Sequence, residues 1–301
     1  MNLLKRIGLG ILLTLLTLVV LLLGSIVVDG FFAAGRLDPL TNMSVTAADG
    51  TAVRAYLAKP EGVGPFPAVI MVHEFWGIRP DILGKAEALA DEGYVVIAPN
   101  LFRSGTTNWI PRAIYNVITA DNQQIDGDVD AAYQWLAAQP DVLADRIAVM
   151  GFCFGGGTAL RYSLQNSHLA ATAVFYGQPM TDPETLKALP GPVLGIYGGA
   201  DMSIPQADVD ALDEGLTAAG IPHEITVYAG QPHAFVGSIE DIRAGGADQE
   251  AWQQLLAFLQ HTLQTESRRN VTETTVADDH ESVQASLLYL LRLAWSHMVH
   301  M

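Results

Sequence analysis

The sequence predicts an α/β domain, a mostly parallel central sheet flanked by helices, carried behind an N-terminal transmembrane helix. Three observations predict it. Short continuous apolar runs alternate with helically periodic segments between residues 41 and 263, the pattern of strands buried on both faces by crossover helices. A Gly-rich turn joins one of these runs directly to a helix. A long uncharged apolar stretch near the N-terminus stands apart from the alternation.

That stretch, Ile7–Val28, follows Lys5 and Arg6. As a helix it spans roughly 33 Å, enough to cross a hydrocarbon core. It exceeds the apolar region of about 7–15 residues found in cleavable signal peptides. We therefore read residues 1–30 as a signal anchor, with the basic pair holding the N-terminus in the cytoplasm and the rest of the chain extracytoplasmic. A small-residue exit at Ala33-Ala34-Gly35 also fits cleavage and secretion.

After a short linker, strands are expected at Ser44–Ala48 and Ala52–Leu57, joined by the turn signal Asp49-Gly50. Pro67–His73 is a buried strand, Asp81–Asp91 a helix and Tyr94–Pro99 a second buried strand. A long loop follows. Next come a helix around Gly127–Ala138, a strand at Arg146–Cys153 and a helix from Phe154. Strands at Ala171–Tyr176, Pro192–Gly198 and Glu224–Tyr228 and helices at Gln206–Ala219 and Asp248–Leu263 complete the domain, 41–263. Residues 264–301 change character: a polar, Thr-rich linker leads to an amphipathic tail with Leu287, Leu290, Leu291, Ala294 and Trp295 at helical spacing.

Composition removes several functions. The chain has 301 residues, 32 acids against 16 bases, a formal charge of −16 and one cysteine. An acidic surface repels phosphate backbones, so no nucleic-acid partner is expected. One cysteine excludes an intrachain disulfide framework and any Cys-rich metal centre. No His pair has metal-ligand spacing joined to a carboxylate, so no metal and no cofactor are expected.

The strongest chemical signal is Gly151-Phe152-Cys153-Phe154-Gly155-Gly156-Gly157 between strand and helix. This is the context of a nucleophile elbow, with Cys153 where serine is usual. The turn is tight, so the positions two residues either side of Cys153 must be small, and both are glycine. The following helix N-terminus offers amide donors and partial positive charge, which favour a thiolate and a developing oxyanion. In this fold class the chain order is nucleophile, acid, histidine. Asp201 in YGGAD and His233 in AGQPHAF each follow the end of an expected strand, in that order. His73 ends an earlier strand and lies near the same edge; His168 and His223 read as structural.

These residues resemble the dienelactone hydrolase family of the α/β-hydrolase superfamily. The resemblance covers about 41–263 and rests on GFCFGG at 151–156, Asp201, His233 and His73-Glu74-Phe75-Trp76-Gly77. It implies an α/β-hydrolase fold and a hydrolase that cleaves a carboxylic ester or lactone through a thioester acyl-enzyme on Cys153. It also implies that Glu74 controls the protonation of the thiol. The oxyanion donors are expected to be the amides of Phe75 and Phe154, with Trp76 and Arg103 meeting substrate. One departure is plain: family members that hold a substrate carboxylate carry an arginine four residues after the catalytic histidine, and that position here is Gly237. A redox-responsive thiol or a non-catalytic protein on the same fold is the alternative. Against the first stands the lack of any resolving cysteine; against the second, a competent residue at every triad position.

Overall fold

The computed structural model describes residues 3–265 and Arg292. The amphipathic stripe expected from Leu287 to Trp295 therefore lies outside the described residues, as does most of its linker. The chain opens with helix α1, Leu3–Ala33, whose apolar side chains from Ile7 to Val28 project outward with almost no protein around them. By length and composition α1 is able to cross a bilayer. A short 3₁₀ segment, Gly35–Leu40, leads into the domain.

Eight strands form one sheet in the order β1-β2-β4-β3-β5-β6-β7-β8. β1 (Met43–Thr46) and β2 (Ala52–Ala58) make the hairpin that Asp49-Gly50 signals. Gly50 takes the positive φ of +83° that the turn requires, and the Asp49 carboxylate accepts from the Thr51 amide at 2.8 Å. β2 pairs antiparallel with β4 (Val95–Pro99). The remaining neighbours are parallel: β3 (Phe66–Val72) beside β4 and β5 (Val142–Phe152), then β6 (Ala171–Phe175), β7 (Val193–Gly198) and β8 (His223–Tyr228). Every residue of β4, β6 and β7 is buried, which is why these strands read as unbroken apolar runs.

Helices α2 (Pro80–Asp91), α4 (Asn122–Ala137), α5 (Phe154–Ser163), α7 (Gln206–Ala219) and α9 (Ala247–Leu259) flank the sheet. Two apolar clusters lie on its opposite faces. One gathers Val69, Met71, Val96 and Met150 with α2, α7 and α9; the other gathers Ala68, Ile70, Val72 and Val149 with α4. Alternate β3 residues divide between the two clusters, as the two-residue period of a strand demands. Two ion pairs brace the α4 face: Arg161 to Asp126, and Arg103 to Asp128, each at 2.7 Å.

The long loop expected after Pro99 is not all loop. It holds helix α3, Ile110–Thr119. Two shorter helices, α6 (Pro183–Leu186) and α8 (Ile239–Ala244), are also additions. α3 starts on Trp109 with no capping side chain, and its Pro111 and β-branched residues are weak helix signals. Burial of Ala113 and Val117 in the core and packing against α1 support it instead.

Candidate active site

The end of β5 sets the nucleophile. Cys153 follows it directly with φ 55° and ψ −118°, a strained conformation for a residue with a Cβ. Its amide donates to the Phe175 carbonyl at 2.9 Å, tying the turn to the end of β6. The flanking glycines are steric necessities. A Cβ on Gly151 would overlap the Gly155 carbonyl, and one on Gly155 would lie 2.5 Å from the His73 oxygen and closer still to that of Val72. Register explains the crowding, because Val72 pairs with Gly151 and brings the end of β3 against the elbow.

Cys153 is fully buried. Burial pushes its thiol pKa up, the negative charge of Glu74 pushes it further, and hydrogen bonds from the Phe154 and Phe75 amides pull it back. The two expected oxyanion donors therefore both point at the Cys153 sulfur. Phe75 and Trp76 are themselves buried, with rings 4.3 Å apart, and the Arg79 guanidinium covers Trp76.

Asp201 and His233 meet as the sequence order predicts. His233 Nδ1 donates to Asp201 Oδ2 at 2.6 Å, both side chains being excluded from solvent. The other carboxylate oxygen accepts from the Ser203 amide at 2.7 Å, the Ser203 hydroxyl at 2.6 Å and the Ile204 amide at 3.1 Å. Burial pushes the Asp201 carboxyl up, but these hydrogen bonds outweigh it and the group stays below its usual range. The loop bearing His233 is clamped to the end of β7, where the Ala200 amide donates to the Gln231 carbonyl at 2.9 Å. Tyr176 packs edge-on to His233 at 5.2 Å. Its hydroxyl donates to the Val236 carbonyl at 3.4 Å, and burial, then the charges of Glu74, Cys153, Asp248 and Asp201, raise the Tyr176 pKa well above normal. The positive-φ residues other than glycine are Cys153, Tyr176 and Ala234 among the described residues, and all belong to this site.

Beside Glu74 a cleft of about 220 Å³ is lined by Glu74, Trp76, Arg79, Lys85, Ala234 and Val236. Among the described residues no three His, Cys, Asp or Glu side chains gather where they could hold a metal ion.

Known proteins match this arrangement. The model of the dienelactone hydrolase family matches residues 53–263. The chain belongs to the dienelactone hydrolase family. A Yersinia pestis protein assigned as a carboxymethylenebutenolidase is 33% identical over 70% of this chain and 85% of its own length. The solved structure of a Klebsiella pneumoniae protein assigned as a dienelactone hydrolase superposes with a TM-score of 0.65 at 33% identity, covering 72% of this chain and 96% of that one. A thermophilic esterase from Thermogutta terrifontis shares the fold, with a TM-score of 0.56 at 18% identity over 76% of this chain and 97% of that one. This dienelactone hydrolase family member is thus an α/β-hydrolase that cleaves an ester or lactone.

Two sequence expectations change within it. Arg103 is not turned toward substrate: its guanidinium is held by Asp128 at 2.7 and 3.1 Å and by Asp49 at 2.7 Å, fastening the β1–β2 turn to α4. His73 is a buried strut. Its Nε2 accepts from the Leu101 amide at 3.0 Å and its Nδ1 donates to the Glu74 carbonyl at 2.7 Å. Burial lowers its pKa to about 4, so the ring is neutral at physiological pH.

Two residues went unnoticed in the sequence. Ser203 orients Asp201 and lies 3.0 Å from His233 Nδ1. Lys85 is a buried cation whose Nζ donates to the Val236 carbonyl at 3.2 Å and sits 4.5 Å from the Phe152 ring. Burial lowers its pKa, while Glu74, Asp81, Asp248 and Asp241 oppose that. The available signal was its place on the buried stripe Ile82, Lys85, Ala86, Leu89 of α2. A Cβ at Gly237 would meet the Asp241 side chain.

Proposed function

We propose that this hydrolase works as a thiol esterase through Cys153, His233 and Asp201. The supporting observation is the 2.6 Å His233–Asp201 hydrogen bond at the strand ends, beside a strained cysteine whose sulfur already meets two amide donors. In the resting enzyme the sulfur carries its proton, because burial and the Glu74 charge disfavour the thiolate. Substrate displaces Glu74 from the thiol, and His233 takes the proton while Asp201 fixes the imidazole tautomer and stabilises the imidazolium. The Cys153 sulfur attacks the carbonyl carbon. The oxyanion forms on the Phe75 and Phe154 amides, a contribution of about 2.7–4 kcal/mol per donor in comparable sites. The alkoxide leaves with the proton from His233. Water, deprotonated by His233, then cleaves the thioester and releases the carboxylic acid.

The substrate we infer is a compact ester or lactone. Trp76, Ile82 and Val236 give the cleft apolar surface beside Glu74, Arg79, Asp81 and Lys85, while Arg103 is held by Asp49 and Asp128. We read α1 as an uncleaved anchor that holds the catalytic domain, 41–263, on the extracytoplasmic side, with 264–301 as its tail. Lys5 and Arg6 set that orientation.

Turnover of short p-nitrophenyl esters and small lactones by the full chain tests the mechanism. Cys153→Ala and His233→Ala are expected to lose at least about 10³-fold in kcat. Mass spectrometry after rapid quench is expected to find an acyl adduct on Cys153. Equal turnover in all three proteins would overturn the thiol mechanism.

A further inference from the structure

We propose that α3 is an interfacial helix, lying in the headgroup layer of a phospholipid bilayer beside the anchor. The proposal rests on the reading of α1 as a membrane anchor. It begins with an apolar face that has no protein cover. Tyr115 and Ile118 are about half exposed, Pro111 and Ile114, partly buried, complete one stripe with them, and Trp109, just before the helix, is also about half exposed. Positions 111, 114, 115 and 118 share a face of a helix. From Ser104 to Ala120 the only charged residue is Arg112. Outside α1 and α3, Val63 and Met202 are the sole large apolar side chains as exposed among the described residues, and they are isolated in sequence.

The depth of this face is what names the partner. α3 docks on α1 through Trp109 Nε1 to Ser25 Oγ at 3.1 Å and Arg112 to the Ile26 carbonyl at 3.4 Å. The Arg112 guanidinium also packs over Gly30. Ser25 and Ile26 lie inside the uncharged run that ends at Val28. At 1.5 Å per residue they sit roughly 3–5 Å below its end. If Ile7–Val28 fills the hydrocarbon core, α3 is held at its boundary with the headgroups. Phe31 and Phe32 are exposed one turn above. With Trp109 and Tyr115 they form the aromatic set expected at a membrane–water boundary. An amphipathic helix there inserts its apolar side and leaves its other side on the protein. The same segment contacts the site: the Thr107 amide and the Thr106 hydroxyl donate to the Trp76 carbonyl at 2.9 and 3.0 Å. The active-site edge of the domain would thus face the bilayer surface.

The test is spin-label accessibility on the full chain in nanodiscs of equal parts phosphatidylcholine and phosphatidylglycerol. Single cysteines are placed by Tyr115→Cys and Ile118→Cys in a Cys153→Ala background, with Leu16→Cys and Asp210→Cys as references. Labels at 115 and 118 are expected to be several-fold more accessible to oxygen than the label at 210, and several-fold less accessible to a water-soluble nickel chelate. Labels at 115 and 118 that match the 210 label, with the 16 label lipid-embedded, overturn the proposal and leave the anchor intact. Shielding from both reagents would mean that protein covers the face, which also overturns it. A water-exposed label at 16 overturns the anchor reading and the proposal together.

Discussion

Burial, the Glu74 carboxylate and then Asp201 all push the Cys153 thiol pKa up, and in the proposed mechanism the bound substrate lifts the effect of Glu74. In the mechanism proposed above, that asymmetry would let Glu74 act as a gate. Burial alone would leave the sulfur inert at every stage of turnover. A displaceable charge lets the same sulfur be protected at rest and reactive in the complex. Glu74→Gln removes the charge and keeps the shape. Its thiolate is expected to appear at lower pH, by about one unit or more if Glu74 lies within 4–6 Å of the sulfur. Ultraviolet absorbance of the thiolate against pH checks this, with Cys153→Ala as the blank. An unmoved or raised midpoint would remove Glu74 from the control of the thiol. The places of Cys153, Asp201 and His233 at strand ends were legible because each type of residue stood after an apolar run in the chain order of the expected triad. Ser203 and Lys85 were not, since a serine after an acid and a lysine on a helix carry no chemical signature until the backbone brings them together.

At the level of elements, the legible parts were the ones whose burial is symmetrical. β3, β4, β6 and β7 are covered on both faces, so each announces itself as an apolar run. The helix α3 was hidden because its support comes from the domain core, where Ala113 and Val117 are buried, and from α1, more than seventy residues away in sequence, and not from its own propensity. Arg103 misled for a related reason. Its partners Asp49 and Asp128 come from a hairpin and a helix distant in sequence, and those carboxylates claim the guanidinium before any substrate can. The elbow is the element where sequence dictates geometry most tightly. Gly155→Ala places a methyl group against the carbonyl oxygens of Val72 and His73, which are backbone atoms and cannot rotate aside. We expect a loss of at least about 3 kcal/mol, or failure to fold, together with loss of turnover. Gly157→Ala is the control. Its nearest neighbour would be the Gln178 amide nitrogen at an ordinary 3.4 Å. Removing a glycine from inside a helix gains up to about 1 kcal/mol. Thermal unfolding of the two variants should therefore move in opposite directions, and a shared direction would show that crowding at the elbow is not what selects its glycines.

For the whole molecule, the last turn of α1 is built into the domain, so on the anchor reading it would be more than a tether. The Asp29 carboxylate bridges Thr107 at 2.6 Å and Arg36 at 2.7 Å. The Ala33 carbonyl accepts from the Thr106 amide at 3.3 Å, and Gly105 can approach it so closely only because it lacks a Cβ. Those threonines hold the Trp76 carbonyl, one residue from the Phe75 amide that meets Cys153. Hydrogen bonds therefore link α1, the 105–107 loop and the Trp76 backbone, which in the proposed mechanism adjoins the oxyanion donor. Within the small-residue exit Ala33 is buried, whereas Ala34 and Gly35 are exposed. Intact mass of the purified protein is expected to retain the N-terminal segment. A chain that begins at Gly35 loses the acceptors of Thr106 and Thr107 and the partner of Arg36. At about 1 kcal/mol per lost hydrogen bond that amounts to roughly 2–3 kcal/mol, or about 5–10 °C in Tm for a domain of this size. Because the loop supports a donor made to the transition state, kcat should fall while KM changes little. Calorimetry and steady-state kinetics on the shortened chain beside the full one test this. Unchanged Tm and kcat would reduce α1 to a passive leash, whereas a fall in kcat makes the membrane segment part of the catalytic apparatus.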